Sequence, residues 1–357
     1  MSANLSSTYP SSVLWWEVGK LQILLYSTIF LLAVVGNCLV ILTLIFNQTM
    51  RTITNVFLLN LAVSDLLLGV LCMPFTLIGT ILRDFVFGDF MCKLIPFLQA
   101  CSVSVSAWTL VVISVERYYA ICHPLRSRRW QTLSHAYRMI VAIWMSSLFT
   151  MAPIAYLSQL IPTNQGHRKC REIWPTRPLE RVYNILLDAL LLVLPLVGLT
   201  ATYSLITHTL WKGMQLQNGG QVPVSCSGEL VRQVACLQMR TSLSGAGPGS
   251  GHWDSMRRSI TTKALTKKKR VVKMLFAVVL EFFICWTPLY VINTVALFEP
   301  AVVYNALGFQ TISYFQLLAY CSSCCNPITY CFMNSSFRQA FLKLFRCFHK
   351  DRTKRTF

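Results

Sequence analysis

Asp65, in the string Leu61-Ala-Val-Ser-Asp65, is a carboxylate in the middle of a long apolar segment with no neighbouring base. A charge in such a setting is costly to bury and is a functional candidate by default. Asn37, Ser106, Ser323 and Asn326 fall at comparable depths of other apolar segments. A carboxylate ringed by neutral oxygens suits a small cation such as sodium, or a proton. The alternative is a satisfied polar network that only fixes packing. Glu116-Arg117-Tyr118 closes the third apolar segment, where an adjacent acid and base neutralise one another and a released Arg117 becomes a cationic contact. In Asn326-Pro-Ile-Thr-Tyr330, Pro327 frees a backbone carbonyl, which Asn326 can satisfy or exchange for another partner. Cys285-Trp-Thr-Pro288 repeats the device, with Trp286 as a bulky plug. Each string alone is more often core packing. With Asp65, Trp144 and Pro195 they form a combination that chance does not explain.

These residues sit on seven apolar stretches: Leu21–Phe46, Thr54–Leu82, Phe90–Cys122, Ala136–Leu160, Val182–Leu210, Lys268–Leu297 and Leu307–Phe332. Each has the roughly 20 residues a helix needs to cross hydrocarbon. Lipid admits only helices or closed barrels, and ten-residue alternating segments are absent, so the fold class is an all-α membrane protein, a seven-helix bundle. Only 13% of the 357 residues are charged and 54% are hydrophobic, which excludes an ordinary soluble domain. Pro74, Pro153, Pro195, Pro288 and Pro327 lie within the stretches and predict kinks.

Twenty-four of the 32 Lys and Arg residues flank one face of this array and eight flank the other. Positive charge in short loops marks the cytoplasmic side, so the expectation is an extracellular amino terminus and a cytoplasmic carboxyl terminus. No secretory signal is read before the first span. The net charge of +19 is accounted for by anionic inner-leaflet lipid rather than by nucleic acid. Of 14 cysteines only Cys92 and Cys170 lie in or beside outward segments, and an oxidising compartment is where disulfides form. They are the expected pair.

Residues 1–20 form the outer terminus and 21–332 the seven-span domain. Within the latter, about 213–262 is a Gly- and Ser-rich inner loop without the means to bury a core. Residues 333–347 interleave Phe337, Phe341, Leu344 and Phe345 with Arg338, Lys343 and Arg346, the pattern of an amphipathic eighth helix in the interface. Cys347 is a candidate for acylation and Asn4 for glycosylation. Residues 348–357 are the tail.

At this point the strings resemble a rhodopsin-like (class A) G protein-coupled receptor over all seven spans. Within that class, Met50-Arg-Thr-Ile-Thr-Asn55, Cys72-Met-Pro-Phe75, Ser102-Val-Ser-Val-Ser106, Ser127-Arg-Arg-Trp-Gln-Thr132 and Cys331-Phe-Met-Asn334 resemble the cholecystokinin/gastrin receptors. Glu281-Phe-Phe-Ile-Cys-Trp-Thr-Pro-Leu-Tyr-Val-Ile-Asn-Thr294 and Cys170-Arg-Glu-Ile-Trp-Pro175 look closest to the arthropod sulfakinin receptors.

The resemblance implies a sulfated, carboxy-terminally amidated peptide ligand. Arg171 matches the family position that meets the sulfated tyrosine, and a guanidinium suits an oxyanion; a solvated loop charge is the alternative. Asn293 matches the position that pairs with the terminal amide. Gln99, Cys72, Tyr320 and Trp286 match pocket-lining positions. The chain departs from vertebrate members at Ala296, where they carry an Arg, and at Asp188, where they carry an apolar residue. Sulfakinins have Arg where cholecystokinin has Asp, so Asp188 is expected to receive that Arg; a bond to a neighbouring helix is the alternative.

For the cytoplasmic side the resemblance implies a cup for a heterotrimeric G protein, of the Gq class and with Gs as a second partner. It is built from Arg117, Leu125, Lys268 and Arg270, with Glu116, Tyr118, Tyr203, Pro288, Pro327 and Tyr330 in the switch. Ser255 and Ser259 are candidate kinase sites, and arrestin is a further expected partner. The expected location is the plasma membrane. A transporter would show internal repeats, an opsin a Lys in Leu307–Phe332, and an intramembrane enzyme a catalytic motif; none is found. A receptor for a different amidated neuropeptide is the second reading.

Overall fold

The computed structural model describes residues 11–47, 50, 52–163, 166–217, 250–335 and 337–343. In chain order the helices are α1 (Ser11–Phe46), α2 (Ile53–Leu71), α3 (Met73–Leu82), α4 (Gly88–Cys122), α5 (Pro124–Trp130) and α6 (Leu133–Leu157). A hairpin of β1 (Ser158–Pro162) and β2 (Arg168–Glu172) follows, then α7 (Arg177–Asp188), a π-helical turn over Ala189–Val193, and α8 (Leu194–Gln217). The last two are α9 (Ser250–Phe298) and α10 (Pro300–Met333).

Local chemistry sets the boundaries. Thr52 Oγ1 accepts from Asn55 N at 3.3 Å and Thr132 Oγ1 from His135 N at 3.2 Å, capping α2 and α6 where the first helical amides lack partners. Pro74 ends α2 against α3 at Cys72, so the second span is two helices in series. The fourth span stops at Leu157 rather than Leu160, because Ser158–Leu160 pair with β2 instead: Leu160 lies opposite Cys170 and Gln159 opposite Arg171. A strand there lets the hairpin return across the bundle end. In the fifth span the π-turn precedes Pro195, where a proline cannot donate to the turn before it. Inside α10, Gly308 has φ 68° and ψ 166°, a conformation reserved for glycine, so the helix that starts at Pro300 is interrupted one residue into the predicted span Leu307–Phe332.

The helices at the inner loop run further than its composition led us to expect. Residues 213–217 continue α8 and 250–262 open α9; 218–249 lie outside the described residues.

Among the described residues, six helical stretches, from Gly19–Phe46 to Lys269–Phe298, are long and apolar enough to cross a membrane. The more polar α10, with Gln310, Gln316, Ser322, Ser323 and Asn326 along it, packs against α9 and α1 as the seventh. Its neighbour α1 approaches so closely that a Cβ on Gly36 would meet Pro327 Cβ at 2.9 Å. Through the middle runs α4, packed on α2, α6 and α8. The interior carries the polar groups: Asn37, Ser64, Asp65, Ser104, Thr109 and Ser323 are all buried, while Phe149 is 83% exposed on the rim. Apolar surface outside and hydrogen-bonded polar groups inside is the distribution lipid imposes. Residues 337–343 are helical, but Phe337 and Phe341 are buried in the core rather than laid on a surface, with Phe337 against the Tyr330 ring at 5.6 Å. Leu344, Phe345 and Cys347 lie outside the described residues, as does Asn4.

Candidate functional site

The expected residues fall into three groups along the bundle axis. At the hairpin end, the Cys92–Cys170 disulfide ties the start of α4 to β2, with Cα atoms 5.4 Å apart. Arg168 N donates to Asp84 Oδ1 at 2.6 Å and Ile173 N to Leu157 O at 2.8 Å, fastening both ends of the strand. Strand residues alternate in facing. Cys170 and Glu172 therefore point to one side, partly buried, and Arg171 to the other, exposed. Glu172 accepts from Trp174 Nε1 at 2.8 Å. Its burial pushes its carboxyl above the usual range, and the Trp174 bond opposes this.

Asn293 is exposed on α9. On the facing span Asp188, half-buried, accepts at Oδ2 from the Thr294 hydroxyl. This is the helix-to-helix bond weighed as the alternative for Asp188, and it also brings the carboxylate beside the residue following Asn293. The π-turn starts at the very next residue, which aims Asp188 at α9; no sequence signal marked that turn.

Beneath lies a packed floor. Tyr320 OH donates to Gln99 Oε1 at 3.1 Å and pairs with Thr76 Oγ1 at 2.8 Å. Trp286 Nε1 donates to Ser322 Oγ at 2.9 Å. Cys72 and Tyr320 have no exposed surface and Trp286 is buried, so all three stand within the packed interior. Tyr26 of α1 stacks edge-on to Tyr320 at 6.1 Å, and Gln22 reaches Ser313 at 3.4 Å; neither was anticipated. An apolar groove of about 710 Å³ opens between α9 and α10, lined by Phe283, Pro288, Val291, Leu307 and Phe315 among others. It contains none of the residues expected to hold a ligand; of the switch residues it contains the Pro288 hinge.

In the middle group, Asn326 Nδ2 donates to Asp65 Oδ2 at 2.7 Å, and Ser64, the residue before Asp65, pairs through its hydroxyl with Ser106 at 2.9 Å. Asn37 Nδ2 donates to the carbonyls of Ala33 and Ser323 at 2.9 and 2.8 Å. Asn37 Oδ1 and Ser323 Oγ are buried without a partner among the described residues. An anionic oxygen with spare neutral oxygens nearby is the donor set a hard monovalent cation takes.

At the far end the expected Glu116–Arg117 neutralisation takes another form. Successive helix residues do not face each other. Glu116 Oε1 faces His135 Nε2 of α6 at 3.5 Å, while Arg117 donates to Thr54 Oγ1 of α2. Gln131 Nε2 donates to the Glu116 carbonyl at 2.8 Å, and Tyr118 OH meets His123 Nε2 at 3.2 Å. The buried Tyr203 packs on Phe276 at 5.6 Å, and its hydroxyl and that of Tyr330 have no hydrogen-bond partner among the described residues. Leu125 and Arg270 are exposed; Lys268 lies on α9. His135, in the first turn of α6 that Thr132 caps, lay outside the expected set.

A seven-helix bundle with a disulfide-anchored hairpin, a buried carboxylate network and a proline-hinged core defines a class, the seven-transmembrane receptors. Residues 36–330 match the family described as 7 transmembrane receptor (rhodopsin family). The chain is 39% identical to a cholecystokinin receptor of Xenopus laevis, covering 94% of this chain and 78% of that one. It is 41% identical to the cholecystokinin receptor type A of Cavia porcellus (91% and 80% covered) and 38% to the gastrin/cholecystokinin type B receptor of Rattus norvegicus (90% and 78%). The chain belongs to the cholecystokinin/gastrin receptors of the rhodopsin family. It is a multi-pass membrane receptor and not an enzyme.

Proposed function

We propose that this receptor binds a sulfated, carboxy-terminally amidated peptide of the cholecystokinin/sulfakinin type at the hairpin end and activates heterotrimeric G proteins at the Arg117 end. The observation that carries this reading is the exposed Arg171, whose backbone is held in the hairpin next to the Cys92–Cys170 disulfide. A sulfate is a fixed anion at all physiological pH, and a guanidinium held in place binds it through paired N–H donors. Asn293, with donor and acceptor on one side chain, suits a terminal amide. Asp188 is the receiver of the ligand's Arg, which would exchange the Thr294 bond for a charged one.

Binding biases the bundle only through contacts that differ between two arrangements. Trp286 and Tyr320, forming the floor, relay the ligand to the Asp65–Asn326 bond below. Asp65, Ser106 and Ser323 are the residues that would hold a sodium ion, and its positive charge would favour the resting arrangement. The G protein is of the Gq class, releasing calcium, with Gs as a second partner. The amino terminus faces outward.

Calcium release in cells expressing the chain tests the proposal, with sulfated and unsulfated sulfakinin and cholecystokinin peptides as ligands. The sulfated amidated sulfakinin should be the most potent. Equal potency of sulfated and unsulfated forms would favour a different amidated neuropeptide.

A further inference from the structure

Glu281 is a further carboxylate within a membrane span, in addition to Asp65, Glu116 and Asp188, and the function proposed above gives it no task. It lies in α9 beside Phe282, on the Arg117 side of Pro288. Thr329 Oγ1 of α10 donates to its Oε1 at 2.6 Å, and Oε2 is buried without a hydrogen-bond partner among the described residues. Thr329 sits between Pro327 and Tyr330, so this bond joins the two helices that carry an interior proline at this depth. Carrying a carboxyl into this setting is costly, and one good hydrogen bond does not recover that cost in packing alone.

We infer that the Glu281–Thr329 bond is a latch between the sixth and seventh spans that holds the receptor in its resting arrangement. A proline-kinked helix bends about the kink. Any swing of the Arg117 half of α9 about Pro288 carries Glu281 away from Thr329 and breaks the bond. Both helices meet the polar core near this level. The Phe282 ring lies 6.3 Å from that of Trp286 between centroids, and Asn326, about one turn before Thr329 on α10, holds Asp65. The latch therefore connects the floor beneath the ligand to the end where Arg117 lies. Glu281 is a positioning residue: it touches neither ligand nor G protein.

The inference rests on G-protein coupling but not on the identity of the ligand. Basal nucleotide exchange, without peptide, is measured in membranes holding equal amounts of full-length receptor. Glu281→Leu and Thr329→Val should each raise basal exchange about fivefold, the population shift that loss of about 1 kcal/mol from one state produces. The double variant should exceed neither single by more than a small margin, since both remove the same bond. Glu281→Gln keeps an acceptor for Thr329 and should stay near wild type, which a purely structural role for the charge would not give. Label pairs at the exposed Arg126 and Arg270, introduced as non-natural amino acids, report opening of that end without any G protein, so a receptor that couples poorly still gives an answer. A longer-distance population in both single variants supports the latch. Wild-type distances in folded Glu281→Leu and Thr329→Val, additive effects in the double variant, or a Glu281→Gln as active as Glu281→Leu would overturn it.

Discussion

The hairpin end and the Asp65 centre use the same kinds of side chain to opposite ends. At the hairpin, Arg171 and Asn293 are exposed and Asp188 is half-buried with a single helix-to-helix bond. In the centre, Asn37, Ser106, Asp65, Ser323 and Asn326 are buried and tied between α1, α2, α4 and α10 by bonds of 2.7–2.9 Å, Ser323 through its carbonyl, with only Asn37 Oδ1 and the Ser323 hydroxyl left over among the described residues. Open groups carry differential affinity for a ligand. Closed ones hold one of two packings in place, because an unsatisfied polar group in the interior costs about 1–3 kcal/mol. Recognition and switching thus require different degrees of satisfaction, and the molecule separates them along its axis.

The comparison is broken most severely at the disulfide. Cys92→Ala or Cys170→Ala should abolish peptide response at any attainable concentration, read as calcium release at matched surface expression. The hairpin would lose its anchor to α4 while the Asp65 network stayed intact. Next, Arg171→Ala should reduce the potency of a sulfated peptide roughly 10- to 100-fold, the scale of one charge-assisted contact, and leave an unsulfated peptide nearly unaffected. An equal loss for both would remove Arg171 from the sulfate.

Asp188 sharpens the boundary between the two regions. Asp188→Arg should invert preference between peptides carrying Arg or Asp at the matching position, and Asp188→Asn should weaken only the Arg peptide, about tenfold. Equal losses for both peptides would leave Asp188 as a partner of Thr294 alone. In the centre, Asp65→Asn should leave peptide affinity within about threefold of wild type in the absence of sodium, yet remove the effect of added sodium on that affinity. Persistence of the sodium effect would take the ion away from Asp65. The smallest effect is expected at Gly36→Ala, where the new methyl presses on Pro327: a thermal stability loss of about 1 kcal/mol, with ligand selectivity unchanged.

How far the two regions could be read from sequence differs in the same way. Hydropathy and proline placement carried the seven spans, and the two outward cysteines carried the disulfide, because each reflects a constraint of lipid or redox compartment acting on one residue at a time. The partners were less legible. Glu116 and Arg117 are neighbours in sequence but point to α6 and α2, since helical geometry separates adjacent side chains by about 100°. The fourth span was extended through Leu160 because Leu160 and Ile161 are as apolar in a hairpin as in a helix. The π-turn at Ala189–Val193 leaves no mark in a run of alanine, leucine and valine. Glu281 could have been singled out as Asp65 was, by its charge alone; its partner Thr329 is 48 residues away and appears only in the fold.

The central claim is that occupation of the hairpin end changes the arrangement at the Arg117 end. Its most direct test is nucleotide exchange on purified heterotrimers by the purified receptor in lipid, with and without a sulfated amidated sulfakinin. Exchange should accelerate with the sulfated peptide, and Arg171→Ala should shift the curve to higher concentration without lowering its maximum. A peptide that binds the receptor and leaves exchange on every heterotrimer unchanged would contradict the account.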